Sequence, residues 1–324
     1  MSRYYSGPVS DHFDGRQFFG PQRSGGKGFG TLLRWQLSGG RAKWPRWIEN
    51  VPQPPPPDRV LGDPIRLTMI GHVSVLVQTA GINILTDPVW SMRASPSQNV
   101  GPKRVRAPGI ALDALPPIDL VLVSHNHYDH LDTATLSALV ERFDPLIVTP
   151  LGNGTIIRKT APAARITEID WDESIQHGPL IIEAEPVNHW SARWSNDRNE
   201  ALWAGMTIHA PSRRIFFNGD SGFADGWWVD RLMAKHGRID VSLCPIGAYA
   251  PRWFMIDAHM DPDEAVEVYK RMGGPATLGF HWGVFQLTDE PINEPAERLA
   301  AALARDGIDP ARFRTLAPGE GWEI

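Results

Sequence analysis

Residues 125–130 read His-Asn-His-Tyr-Asp-His, three imidazoles and a carboxylate in six positions, directly after the apolar, β-branched run Asp119-Leu-Val-Leu-Val-Ser124. No other feature constrains the fold as much. The run has the length and composition of a buried strand, so His125 leaves its carboxyl end. Side chains two apart on an extended segment point the same way, so His125, His127 and Asp129 converge while Asn126 and Tyr128 face elsewhere. His130 is expected to open a helix whose register continues through Leu131, Thr135, Leu136 and Leu139. Imidazole and carboxylate without thiolate suit zinc and leave iron and manganese open. Three clustered histidines would repel one another when protonated, which a plain solvated loop has no reason to sustain.

The rest of the chain sets the frame around that junction. Short strand-like runs at Ile65–Ile70, Val73–Gln78 and Ile82–Thr86 are separated by Gly71 and Ala80-Gly81. Strand Leu120–Ser124 leads to a helix over 133–142, and Leu146–Thr149 to a short helix near 153–159. Arg165–Ile169 precedes a β-rich stretch at 180–188, 202–209 and 213–218. Helix 227–236, strand 239–245, helix 262–272, strand 276–280 and helix 294–306 complete the pattern. β-rich stretches mixed with βα units in each half predict an α/β fold of four layers, an α/β/β/α sandwich of two mixed sheets. Residues 1–60, rich in Gly, Pro and aromatics and closing on Pro54-Pro-Pro-Pro57, read as an N-terminal arm, with the main domain over 61–324.

Composition excludes several classes. One cysteine, Cys244, precludes an internal disulfide and fits a reducing compartment; in Val-Ser-Leu-Cys-Pro it reads as a buried strand residue. No run of 18 apolar residues occurs, and Met-Ser-Arg-Tyr-Tyr-Ser does not open an export signal, so a cytoplasmic location is the default expectation. The net charge of −5 speaks against general nucleic-acid binding. It is uneven: residues 1–60 hold nine Lys/Arg against four acids, a local +5, so the remainder carries −10. Among those basic residues stand Trp35, Trp44 and Trp47, with Leu32 and Leu33. Aromatics beside cations suit an anionic bilayer, which makes a peripheral contact with the inner face of the membrane an expectation, although the same tryptophans can simply cover the sandwich. Trp227, Trp228, Trp253 and Trp282 read as core or pocket wall. A homodimer is left open.

Three more polar residues stand at the ends of strand candidates. His189 follows Ile181-Ile-Glu-Ala-Glu-Pro-Val-Asn, Asp220 follows Ile215-Phe-Phe-Asn-Gly, and His281 follows Ala276-Thr-Leu-Gly-Phe. With the 125–130 cluster they suit two cations: His125, His127 and His189 on one, Asp129, His130 and His281 on the other, and Asp220 shared.

This set, in this order, resembles the metallo-β-lactamase superfamily, whose sign is H-x-H-x-D-H followed by separate His, Asp and His ligands. Thr86-Asp87-Pro88 matches too, and implies that Asp87 orients a ligand imidazole by accepting its other N–H. A narrower resemblance rests on Arg93-Ala-Ser-Pro-Ser-Gln-Asn-Val-Gly-Pro-Lys-Arg104, Leu115-Pro-Pro-Ile-Asp119, Ser124–Asp132, Pro245-Ile-Gly-Ala-Tyr249, Pro251-Arg-Trp-Phe-Met255 and His281-Trp-Gly283. Over about 65–320 the chain is similar to the phospholipases D that hydrolyse N-acyl-phosphatidylethanolamine, above all their bacterial relatives.

The resemblance implies two zinc ions and a phospholipid substrate. A hydroxide held between the ions attacks the phosphodiester with Asp129 and Asp220 in catalytic roles, giving N-acylethanolamine and phosphatidic acid. It places Tyr128 and His259 at the substrate, with Ala258 and Ala192 where mammalian members carry glutamine and lysine. Hydrolysis of another phosphodiester or of a sugar-phosphate lactone is the enzymatic alternative, and a lipid-binding protein without catalysis the non-enzymatic one.

Overall fold

The computed structural model describes residues 1–21 and 28–324. Arg23 and Lys27, two of the basic residues counted in the arm, lie outside the described residues.

Two sheets form the centre. The first is built from β1 (Arg66–Gly71), β2 (Ser74–Thr79), β3 (Ile82–Thr86), β4 (Leu120–Leu122), β5 (Leu146–Pro150) and β6 (Arg165–Ile169). The second holds β7 (Ser174–His177), β8 (Leu180–Glu185), β9 (Gly205–His209), β10 (Arg214–Phe217), β11 (Val241–Pro245), β12 (Ala276–Phe280) and β13 (Phe313–Thr315). β14 (Gly321–Glu323) returns to pair with β1. The resulting orders are β14-β1-β2-β3-β4-β5-β6 and β13-β12-β11-β10-β9-β8-β7. In each sheet an antiparallel meander passes into parallel strands, at β3/β4 and at β10/β11.

β4 shows why its sequence reads as a continuous apolar run. Leu120 and Leu122 enter the core between the sheets, with Val75, Val77 and Ile84 on one side and Met206, Ile208, Phe217, Leu243 and Leu278 on the other. Val121 and Val123 point outward into a second core, against Leu136 and Leu139 of α2 (Thr133–Phe143) and Ile156 and Ile157 of α3 (Asn153–Ile157). Both faces of the strand are therefore dry, so alternation disappears. The second sheet repeats the scheme: Phe216, Cys244 and Ile246 pack outward on Trp228 and Leu232 of α4 (Trp227–His236), Val266 of α6 (Pro262–Arg271) and Leu299 and Leu303 of α7 (Glu294–Arg305). The expected four layers are what the chain adopts.

Several local readings change. The helix expected from His130 starts at Thr133 instead, because the Asp132 carboxylate caps it by accepting from the N–H groups of Ala134 and Thr135. His130 stays in a turn, where it is free to point into the site. The segments 186–188 and 202–204 leave the sheet. Within the arm lies α1 (Phe29–Leu37), and a further short helix, α5 (Arg252–Met255), follows β11. Trp228 is core, whereas Trp253 is 44% exposed, contrary to the expectation for it.

The arm wraps the sandwich. Tyr4 donates to Asp197 Oδ2 at 2.6 Å, Phe13 and Phe18 are buried in the second outer core, and Trp35 stacks on Phe254 at 4.7 Å while its N–H reaches Asp289 at 2.7 Å. Trp47 is exposed. Among the described residues no helix is long and apolar enough to cross a membrane.

Candidate metal centre

The site lies where carboxyl ends of strands from both sheets meet. His125 and the turn behind it extend from β4; His189 follows β8, Asp220 follows β10, and His281 follows β12. Backbone geometry helps aim these groups. His281 (φ 67°) and Asp87 (φ 33°), with His72 (φ 56°) between β1 and β2, take left-handed conformations that non-glycine residues rarely adopt. Gly219 (φ 64°) precedes Asp220, and a Cβ there would fall 2.7 Å from that of Ser124, so only glycine lets the two strand ends close together.

The structure brings all seven candidate ligands together in two groups joined by Asp220. In the first, His125 Nε2 lies 2.7 Å and His189 Nε2 lies 3.3 Å from His127 Nδ1. In the second, His130 Nε2 and His281 Nε2 are 3.3 Å apart and lie 3.5 and 3.3 Å from Asp129 Oδ2. Asp220 Oδ2 stands 3.0 Å from His130, 3.2 Å from His281 and 3.8 Å from His189, so one carboxylate faces both groups. Its Oδ1 is buried and has no hydrogen-bond partner among the described residues.

The outer hydrogen bonds settle which ring nitrogens face inward. Asp87, fully buried, accepts from the Ser124 N–H at 2.7 Å through Oδ1, and from Ser124 Oγ and His130 Nδ1 at 2.6 Å each through Oδ2. With its hydroxyl proton on Asp87, Ser124 Oγ accepts from His125 Nδ1 at 2.9 Å. His189 Nδ1 donates to the carbonyl of Ala258 at 3.0 Å. His125 and His189 therefore carry their proton on Nδ1 and turn the Nε2 lone pair toward the cluster, and Asp87 holds the Nδ1 proton of His130 so that its Nε2 faces the same way.

Charge tells the same story. Burial pushes His125 and His189 well below the ordinary histidine range and His127 down to about 3, so these rings are neutral donors. Burial also opposes charge on His130 and His281, but Asp220 and Asp129, with Asp87 at His130, outweigh it and raise the first well above normal and the second to about 9. Asp129 and Asp220 stay ionised: burial would raise them, and His130 leads the neighbours that hold them well below the usual carboxylate range. Neutral imidazoles on one side and carboxylates demanding positive charge on the other fit a pair of divalent cations better than a proton network. The clusters suit a binuclear metal site and do not single out one metal.

Sequence reasoning missed several participants. His72 is buried and donates from Nε2 to Asp129 Oδ2 at 2.9 Å, while its carbonyl accepts the His281 N–H at 2.8 Å. The only signal for it is a polar Gly-His pair between two apolar strands. Arg193 donates to the carbonyls of Asn126 and Leu131 at 3.0 and 2.8 Å, with its guanidinium 3.9 Å from the Tyr128 ring centroid. It clamps the histidine-rich turn from outside.

A cavity of about 480 Å³ opens over the centre. His127, Asp129 and Asp220 form its floor, with Tyr128 and His259 beside them, and Leu32, Trp35, Trp190, Phe254, Met255 and Leu287 build an apolar wall. Ala192 and Ala258 line it too. His259 Nδ1 is 3.7 Å from Asp220 Oδ2, and burial holds the ring neutral, with a pKa of about 4. It does not cap α6; Asp261 does that.

Comparison with known proteins agrees. Residues 82–282 match the model of the β-lactamase superfamily domain. An uncharacterised protein of Mycobacterium tuberculosis is 41% identical over 78% of this chain and 68% of its own length. The N-acyl-phosphatidylethanolamine-hydrolysing phospholipase D 1 of Caenorhabditis elegans is 38% identical over 79% of this chain and 75% of its own. Among solved structures, the isothiocyanate hydrolase from Delia radicum gut bacteria superposes with a TM-score of 0.63 at 19% identity, covering 79% of this chain and 98% of that one. Fold, donor geometry and relatives converge, and the chain belongs to the metallo-β-lactamase superfamily as a metal-dependent hydrolase.

Proposed function

We propose that the chain is a dinuclear zinc phosphodiesterase of the phospholipase D type, cleaving N-acyl-phosphatidylethanolamine to N-acylethanolamine and phosphatidic acid. The carrying observation is the cavity, whose floor presents metal-binding donors and whose wall is apolar. A phosphodiester flanked by acyl chains matches that division, and the similarity to the C. elegans phospholipase supports it. In this reading His125, His127 and His189 hold one ion, Asp129, His130 and His281 the other, and Asp220 both. Bound ions would neutralise phosphate oxygens and lower the pKa of water to supply the attacking hydroxide.

The remaining work falls to the protein. Asp87 fixes the proton on His130 Nδ1, and His72 holds Asp129. Neutral His259 and the Tyr128 ring border the space above Asp220, placed to orient the phosphate and its leaving group. Exposed Leu33 and Leu37 of α1, with Trp253 and Ile256, flank residues of the cavity wall, which supports docking of the mouth on a lipid surface.

The test is hydrolysis of N-acyl-phosphatidylethanolamine in vesicles, followed by mass spectrometry. Asp220→Ala and His127→Ala should abolish product while circular dichroism remains native. Equal or faster turnover of soluble phosphodiesters or lactones without lipid would reject the lipid substrate and keep the hydrolase.

A further inference from the structure

On the outer, helix-covered face of the second sheet another set of donor side chains converges. Along β8 the side chains alternate: Leu180, Ile182 and Ala184 enter the inter-sheet core, so Glu183 and Glu185 face the helical layer. β9 runs antiparallel beside it and presents Thr207 and His209 on that same outer face. The last residue of α4, His236, comes down on them. His209 Nε2 is 3.0 Å from Glu183 Oε2, and His236 Nε2 is 2.5 Å from Glu185 Oε1 and 3.9 Å from Glu183 Oε2. Donor atoms of Glu183, His209 and His236 all lie within 4.8 Å of one another.

Lys235 organises the carboxylates. Its Nζ is 2.7 Å from Glu183 Oε1, 3.1 Å from Glu185 Oε2 and 2.7 Å from Asp172 Oδ1. Each glutamate thus gives one oxygen to the ammonium and turns the other toward an imidazole, and the Thr207 hydroxyl adds a bond to Glu185 Oε1 at 3.1 Å. Asp172, Glu183 and Glu185 face Lys235 and Arg231, and Arg214 bonds the carbonyl of His236 at 2.9 Å, so the surroundings are balanced in charge and a cation would be held by its donor atoms. Burial pushes the pKa of His209 down against the pull of Glu183, which keeps that ring a neutral donor. Spacing is suitable as well, since tetrahedral zinc with bonds of about 2.0–2.1 Å sets its ligand atoms about 3.3 Å apart. The 3.0 and 3.9 Å separations of Glu183 Oε2 from His209 and His236 bracket that value.

We propose that His209, His236 and Glu183 form a separate structural site for one divalent transition-metal ion of the zinc class. Two nitrogens and one carboxylate oxygen, with Glu185 bonded to His236 beside them, suit that ion, and the site ties the carboxyl end of α4 to β8 and β9 without sharing a residue with the dinuclear centre.

The experiment is equilibrium dialysis of the full chain against zinc, with elemental analysis of the protein. Wild type should hold one equivalent more than the His209→Gln/His236→Gln double variant, lipid hydrolysis should be unchanged, and zinc should raise the melting temperature of wild type more than that of the variant. Glu183→Gln, which preserves size, should also lose the extra equivalent and serves if the double variant does not fold. Equal zinc content in wild type and in these variants would overturn the proposal. The readout is a difference of one equivalent, so an empty main centre would sink the phosphodiesterase reading and leave this difference intact.

Discussion

Replacing Asp87 by asparagine changes one atom and should disable half of the metal centre. The Ser124 N–H bonds Asp87 Oδ1 at 2.7 Å, which forces an asparagine to keep its carbonyl oxygen there and its NH₂ where Oδ2 now stands. That position faces His130 Nδ1 and Ser124 Oγ at 2.6 Å each. Two donors would then meet, and relief comes when His130 moves its proton to Nε2, the nitrogen that points at Asp220 and His281. A protonated Nε2 cannot bind a cation. Losing such an outer partner costs about 10–100-fold in metal affinity, or about 1.4–2.7 kcal/mol. On the proposed assignment, competition with a chromophoric zinc chelator should show the ion at His130 released at about 10–100-fold lower chelator and the ion at His125, His127 and His189, which feels the change only through Ser124 Oγ, shifted less. Ser124→Ala, which leaves the carboxylate on His130, should shift either ion by less than about tenfold. Wild-type affinity for both ions in Asp87→Asn would refute the tautomer argument.

Other outcomes follow from single contacts. Arg193→Met keeps bulk but removes two hydrogen bonds to the carbonyls of the ligand turn; urea unfolding should show a loss of about 2–4 kcal/mol, with a lower kcat. Trp35→Ala opens the cavity wall and should raise KM for vesicle substrate several-fold while turnover of a soluble phosphodiester holds. His12 joins the arm to the body: burial lowers its pKa, but bonds to Asp170 at 2.7 Å and Asp11 at 2.6 Å leave it raised above 6.5. Its stabilisation is therefore complete below pH 6.5 and fades as pH rises through the higher folded value, so proteolysis within the arm should quicken as pH rises from 6.5 and lose that dependence in His12→Asn.

The legible parts of the sequence were those where one physical demand dominates. β4 declares itself because both faces are dry, and the histidine cluster because no ordinary loop needs one. What stayed hidden depends on partners distant in the chain. His72 is one polar residue in a hairpin turn until His281 and Asp129 arrive beside it. β7 (Ser-Ile-Gln-His) is a polar edge strand with no apolar pattern to reveal it. The helix starts later than its apolar register suggests, since that register runs back to Leu131 whereas Asp132 decides the boundary by capping. Trp253 looks like core by type and sits outside because α5 turns it to solvent beside Arg34.

The division of donors between the two sheets has a thermodynamic consequence. His125, His127, Asp129 and His130 belong to one leaf, and His189, Asp220 and His281 to the other, so no pair of ions can be bound fully until both leaves have folded and met. Loading is then a report on assembly, and chelation should loosen the seam at the catalytic rim while leaving the hydrophobic spine behind it closed.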